Sequence, residues 1–489
     1  MVIRLAALVL AAILVGSWES RAGADDPFRE IESSEIHRTL DRSLLSQLDS
    51  SDPRIAARAA LAIGRTKRGG VSELLAHANA TDPALRAMCV YGIGLEGDGR
   101  PEIGAALATA LADGNSAVRY AAADAIGRIQ RDHPLAGAAE DALARSLLRV
   151  AASDADPNVR GHAALQLDVF ADAPGARGVA AALERLESSD RDDGVRWHAA
   201  FVLYRSYAAL ADPAFLARML HDPRELVRVE TLRAYGKRAD RRSVPLVNAL
   251  LGDPSWRVQF EAREALRGIA KLGRSPHLTS VPPGIHLPPI RSPQIPYTVD
   301  VATLGIAPFE DPHAPDPSTF PLSDAPLPIT AAAMNGPAPG PHPRVLIRTT
   351  RGDVVVRLYP EWAPSTVANF LQLAQSGYFD GNRWFRIVPD FVTQTGDPTG
   401  DPDSDAGYTI PAEENPVEQR SGIIAMGLDY EKGRAVRDSA GTQFYFTLSP
   451  QPYLDRDFSV FGEIESGADA IANLVEHDRM VLVRRIADD

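Results

Sequence analysis

A chain of 489 residues exceeds what one hydrophobic core sustains, since cores stop growing near about 250–300 residues, and at least two domains are expected. Its 51 Lys and Arg against 64 Asp and Glu leave a formal charge of −13, which opposes the phosphate attraction that a nucleic-acid partner requires. A single cysteine, Cys89, rules out an internal disulfide, so the fold must hold by packing alone.

The chain opens with one basic residue, Arg4, an apolar run from Leu5 to Val15, and the small-residue triplet Ala22-Gly23-Ala24 ahead of Asp25 and Asp26. This is the layout of a secretory signal peptide over residues 1–24, with cleavage after Ala24. The alternative, an uncleaved anchor, is disfavoured because the run falls well short of the roughly 20 residues that cross a bilayer. Cys89 does not directly follow the run, so it offers no lipoprotein attachment site. No other stretch reaches spanning length, and the expected product is exported, periplasmic or secreted, without an integral membrane span.

Residues 30–272 repeat a pattern at a spacing of about 30–40 residues, which is a helical-repeat period. Asp52-Pro53 precedes Ala59-Ala60-Leu61-Ala62-Ile63-Gly64, and Asp82-Pro83 precedes Leu85-Arg86 and Ile93-Gly94. The pattern returns at Asp113 with Val118-Arg119, at Asp156-Pro157-Asn158-Val159-Arg160, at Asp193-Gly194-Val195-Arg196, at Asp222-Pro223 with Val227-Arg228, and at Asp253-Pro254 with Trp256-Arg257. Asp can cap a helix N-terminus, Pro fits its first turn, and apolar residues at i, i+3, i+4 and i+7 form one buried stripe. The segment resembles HEAT-like repeats, in which the Asp and Arg form ladders between neighbours and the stacked helices present a surface to a protein partner.

Residues 273–342 are rich in proline, from Pro282-Pro283 through Pro341, and read as a semi-rigid linker. Ile295, Tyr297, Val299, Val301 and Leu304 are apolar enough to dock on a domain, so a wholly free linker does not follow.

In residues 343–489 the period changes to that of strands. Val345 to Thr350, a turn at Arg351-Gly352-Asp353, and Val354 to Tyr359 predict a hairpin. Pro364 starts an amphipathic helix carrying Val367, Phe370, Leu371 and Ala374 on one face, with Gly377 past its end. Short strands follow through Phe461, then a helix near Ala468 to Val475 and a closing strand at Met480 to Ile486.

Within this region one cation and one amide sit eight residues apart in Trp384-Phe385-Arg386-Ile387-Val388-Pro389-Asp390-Phe391-Val392-Thr393-Gln394. Gly441-Thr442-Gln443-Phe444-Tyr445-Phe446 and Tyr453-Leu454-Asp455 through Phe458 to Gly462 follow. In order and approximate spacing these motifs resemble the cyclophilins, over about 145 residues. The resemblance implies a closed, mainly-β barrel with two helices following the all-α HEAT-like solenoid, and peptidyl-prolyl cis-trans isomerase activity.

It further implies that Arg386 contacts the substrate carbonyl and prolyl nitrogen while Gln394 holds that arginine. Phe391, Val392, Tyr445, Leu454 and Phe458 would build the proline pocket, and Gln443 and Gly427 the neighbouring groove. Read without the resemblance, Arg386 could make a surface salt bridge, the glutamines could be ordinary strand polarity, and the aromatics could be barrel core. Departures from the family pattern include Phe385, Val392, Tyr445, Tyr453 and Phe458. The stretch Met426-Gly427-Leu428 opens a longer, charged loop from Asp429 to Gly441. The Tyr445 hydroxyl needs a partner once buried.

The region holds only His342 and His477 at its two ends, so general acid or base work by histidine is not expected. Asp401, Asp403 and Asp405 alternate like a calcium loop, but Ala406 and Ala412 stand where Gly and Glu are required, and a solvated turn is expected. No histidine pair has metal spacing, so neither a metal site nor a cofactor is expected. The sequence thus predicts an isomerase acting on Xaa-Pro bonds of exported polypeptides and assisting their folding, with the repeats as a protein-binding scaffold. The alternative is a non-catalytic protein whose inactive barrel only docks proline-containing segments.

Overall fold

The computed structural model describes residues 27–271, 342–400, 408–432, 434–475 and 478–486. The signal-peptide segment, the proline-rich linker up to residue 341, Asp401, Asp403, Asp405 and His477 lie outside the described residues. The described residues pack as two compact units: 37–271, and 342–486 together with the helix Pro27–Ile36.

The first unit is helical throughout, with helices Pro53–Thr66, Pro83–Glu96 and Ser116–Asp132 packing in succession. Asp52, Asp82 and Asp156 accept backbone N–H bonds from Arg54, Leu85 and Asn158, and Pro53, Pro83 and Pro157 occupy the first turns. Elsewhere the caps lie beside the expected aspartates. Asn115 caps Ser116–Asp132, Asp192 caps Asp193–Tyr207, and after Asp222-Pro223 and Asp253-Pro254 the helices begin only at Glu225 and Trp256.

Aspartates that N-cap no helix link successive repeats instead. Bidentate pairs join Arg86 to Asp113 (2.8 Å), Arg119 to Asp154 (2.6 Å), Arg160 to Asp190 (2.8 Å) and Arg228 to Asp253 (2.9 Å). Two charged hydrogen bonds per pair fix orientation as well as distance. Where the first two repeats touch, a Cβ on Gly64 would fall 2.5 Å from the Gly92 Cα, so only glycine permits the backbones to approach this closely.

Deeper in this unit, Arg128 Nε donates to Asp124 (2.6 Å), Arg128 Nη2 donates to the Tyr91 hydroxyl (3.1 Å), and His162 lies 3.5 Å from Asp124. Burial alone would raise the Asp124 pKa, but Arg128 and His162 together hold this carboxyl far below the usual carboxylate range.

The strands of the second unit's main sheet are β1 Arg344–Thr349, β2 Gly352–Leu358, β3 Arg386–Val388, β4 Val392–Thr395, β5 Ile423–Met426, β8 Phe444–Thr447, β9 Val460–Ser466 and β10 Met480–Ile486. They form an eight-stranded antiparallel sheet in the order β10-β1-β2-β9-β5-β8-β4-β3. A separate two-stranded ribbon pairs β6 Tyr430–Glu431 with β7 Arg434–Ala435. The sheet curls until its edges meet at an Arg383–Arg479 bridge, stitched by backbone bonds such as Gly381 N–H to Met480 O and Trp384 N–H to Asp478 O. The expected barrel is therefore closed by a short seam rather than by a full ladder.

The helix Pro364–Gln375 ends where Gly377 takes a left-handed φ of 73° and Tyr378 N–H reaches back to Leu373 O at 3.0 Å, which satisfies the last carbonyls. The closing helix is Ala468–Ala472, shorter than the sequence suggests.

Alternation along the strands produces two separate apolar clusters. Ile424, Met426, Phe444 and Phe446 point inward with Phe370, Trp384 and Phe461 to form the barrel core. Ile423, Ala425 and Tyr445, the alternate positions on the same strands, point outward and join Val392, Leu454, Phe458 and Val460 in the second cluster.

Candidate active site

The turn between β3 and β4 brings the cation and the amide together. Asp390 takes a left-handed φ of 56°, which an aspartate tolerates better than most residues, and its carbonyl is held by Ser449 Oγ (2.6 Å) and Gln451 Nε2 (3.2 Å). The resulting register sets Arg386 opposite Gln394. Eight residues of sequence thus become one cross-strand pair, and Arg386 Nη1 donates to Gln394 Oε1 at 3.2 Å.

The register continues across the sheet: Gln394 faces Tyr445 on β8, and Tyr445 faces Ala425 on β5. Gln394 Nε2 donates to Gln443 Oε1 at 2.9 Å, while Gly427 N–H donates to Gln443 O at 2.8 Å. A Cβ on Gly427 would stand 3.1 Å from Gln394 Nε2 and 3.2 Å from Gln443 Cβ, so a side chain here would press on the amide relay.

Beside this polar row lies the outer apolar cluster. Val392, Tyr445, Leu454 and Phe458 are buried in the outer cluster, with Tyr445 and Phe458 edge to face at 5.7 Å. Phe391, partly buried at its rim, stacks on Tyr453 at 5.9 Å, and the Arg386 guanidinium stands 5.5 Å over the Phe391 ring. These aromatics therefore belong to a surface cluster distinct from the barrel core.

Arg386 opens toward solvent, yet the walls around it crowd its guanidinium with protein atoms, and this partial desolvation draws its pKa below the ordinary value. It has no carboxylate partner among the described residues. Among the described residues, Gln394 engages one of its five N–H groups.

The buried Tyr445 hydroxyl finds the partner that its position demands. It donates to Gln419 Oε1 at 2.6 Å, and burial pushes its pKa well above 10.0, so the phenol stays protonated. Gln419 is itself fixed: its Nε2 donates to Leu454 O at 3.0 Å, and its N–H donates to Asp455 Oδ1 at 2.7 Å. The motifs did not point to Gln419. Its only sequence signal is that the Tyr445 hydroxyl needs a partner once buried.

Tyr430 on the β6–β7 ribbon is the second residue that the sequence missed, and its ring lies 6.4 Å from that of Phe458. His342 sits apart from this site, with its ring 3.0 Å from Leu358 O and 3.5 Å from Glu361.

An arginine held by a relayed glutamine at the edge of an apolar cluster can bind a planar, apolar-flanked carbonyl group and stabilise charge as that group distorts. Residues 344–485 match the family model described as cyclophilin type peptidyl-prolyl cis-trans isomerase/CLD, and residues 213–281 match the HEAT repeats model. Peptidyl-prolyl cis-trans isomerase B of Bacillus subtilis is 40% identical over 129 residues, which cover 26% of this chain and 86% of that protein. A peptidyl-prolyl cis-trans isomerase of Synechococcus elongatus is 32% identical over 147 residues, covering 30% of this chain and 97% of that protein. The crystal structure of a Cryptosporidium parvum cyclophilin type isomerase aligns over 30% of this chain and 99% of its own, at 26% identity and a TM-score of 0.28.

Proposed function

The chain belongs, through residues 344–485, to the cyclophilin-type peptidyl-prolyl cis-trans isomerases, and from that premise we propose that Arg386 and its hollow accelerate rotation about Xaa-Pro bonds of exported polypeptides. The observation that carries this reading is the Arg386 guanidinium, tethered by Gln394 and unpaired with carboxylate among the described residues, at the edge of an apolar cluster separate from the barrel core.

Amide rotation faces a barrier of about 18–20 kcal/mol because the nitrogen lone pair is delocalised into the carbonyl. Spontaneous prolyl exchange takes roughly 10–100 s, and bringing it to milliseconds requires lowering the barrier by about 5–6 kcal/mol. One charge-assisted hydrogen bond contributes about 1.5–3 kcal/mol, so the arginine alone falls short.

In this mechanism the proline ring enters the hollow of Val392, Tyr445, Leu454 and Phe458, with Phe391 at its rim. Arg386 then donates an N–H to the prolyl nitrogen as that nitrogen loses conjugation and its lone pair becomes an acceptor. Gln394 keeps the guanidinium aimed, and Gln443 and Gly427 line the groove for the flanking backbone. The walls exclude water and strengthen the single charged contact, supplying the remainder. No proton leaves the protein.

The proposal extends to export, on the strength of the apolar run and small-residue triplet of residues 1–24, and to assistance in folding. It also extends to protein capture by the helical repeats, whose stacked units offer an extended surface. Exchange NMR on a proline peptide tests the enzymatic core. Wild type is expected to broaden or exchange the cis and trans signals, whereas peptide binding without faster exchange would favour a purely docking barrel.

A further inference from the structure

The described residues of the loop from Asp429 to Gly441 pack beside the outer apolar cluster. Within it β6 and β7 pair Tyr430 with Ala435, and Ala435 and Leu428 pack against the outer apolar cluster. The base is tied at several points: Val436 N–H donates to Asp429 O at 2.8 Å, Asp429 N–H donates to Ser439 Oγ at 2.9 Å, and Ala412 N–H donates to Asp438 Oδ1 at 2.7 Å. Arg437 makes a two-pronged ion pair with Glu414, at 2.6 and 3.1 Å.

Next to this tied base Tyr430 is 61% exposed, although its ring stands 6.4 Å from that of Phe458 in the outer apolar cluster. Crowding by neighbouring protein atoms raises the Tyr430 phenol pKa, and Arg386 lies close enough for its charge to oppose that rise. An aromatic ring that is exposed, held in place and next to an apolar cluster buries its free face only when a ligand side chain meets it.

We propose that Tyr430 is a specificity-determining residue: it forms a third wall of the site and selects substrates with an apolar or aromatic side chain next to the proline. This rests on the reading of the Arg386 hollow as the prolyl site. The proline enters the floor, and its neighbour in the peptide packs against the Tyr430 ring.

The test uses the full chain and a series of peptides in which the residue before or after the proline is Phe, Leu, Ala or Gly. Wild type is expected to prefer Phe or Leu over Gly at one of the two positions by about three- to ten-fold in kcat/KM, the scale of one aromatic contact. Tyr430→Ala collapses that ratio toward one, Tyr430→Phe keeps it, and Glu431→Gln on the same ribbon also keeps it. A wild type without flanking preference, or a Tyr430→Ala ratio equal to wild type, overturns the proposal. Arg386→Ala lowers the rate on every peptide alike. If it does not, the prolyl-site reading fails, and that outcome is distinct from any change in the Tyr430 ratio.

Discussion

Replacing Tyr445 by Phe removes one oxygen from the pocket floor and leaves the ring in place. The lost atom donates to Gln419 Oε1 at 2.6 Å, and Tyr445 is 4% exposed, so in the variant a buried acceptor loses its partner with no water to replace it. Leaving a buried polar group unsatisfied costs about 1–3 kcal/mol. Gln419 keeps its bond to Leu454 O, so the loss is confined to one contact.

Amide exchange in β5 and β8 is expected to quicken by roughly 5- to 150-fold on converting that range at about 1.4 kcal/mol per decade. Hydrogen exchange followed by mass spectrometry over residues 423–447 reads it. Combining Tyr445→Phe with Gln419→Met removes both partners. The double variant should then be more stable than the sum of the two single losses by about 0.5–3 kcal/mol. Unchanged exchange in Tyr445→Phe, or strict additivity in the double variant, would refute the assignment of the hydroxyl to Gln419.

Three further outcomes follow from other sites. Gly427→Ala places a Cβ against Gln394 Nε2 and should lower kcat/KM about ten-fold by shifting the arginine's tether, as read in a coupled peptide assay; an unchanged rate would exclude the relay. The pKa of His342 is raised above 6.5, chiefly by Glu361, against a downward effect of burial. Its stabilising contribution is therefore full below 6.5 and is lost as pH climbs through the higher folded value, so His342→Gln should flatten that part of the stability profile of the barrel. Asp124→Asn breaks the buried pair with Arg128 and should cost the helical unit about 3–5 kcal/mol, measured by urea unfolding followed by far-UV circular dichroism.

What could be read from the sequence was mostly local. The caps at Asp52, Asp82 and Asp156, the Pro364 helix start, and the strand at Met480 to Ile486 each follow from short-range propensity and period. The cap at Asn115 is offset from Asp113 because Arg86 of the preceding repeat claims that aspartate, which is visible only in three dimensions. At the next such start two adjacent aspartates compete, and Asp192 caps in place of Asp193.

In the barrel, the Arg386 and Gln394 spacing reflects a hairpin register, which a sequence can encode. The split between Phe444 inside and Tyr445 outside likewise follows from period-two alternation. Gln419 and Tyr430 reach the site from loops whose course is set by distant contacts, such as Arg437 with Glu414, and no local pattern announces them.

The central claim rests on one guanidinium, and proline-limited refolding of a substrate protein with wild type and Arg386→Ala at equal concentration tests it. Loss of a charge-assisted bond of about 1.5–3 kcal/mol predicts a catalysed rate lower by roughly 10- to 150-fold, with the fold of the variant unchanged. Equal acceleration by both proteins would contradict the account.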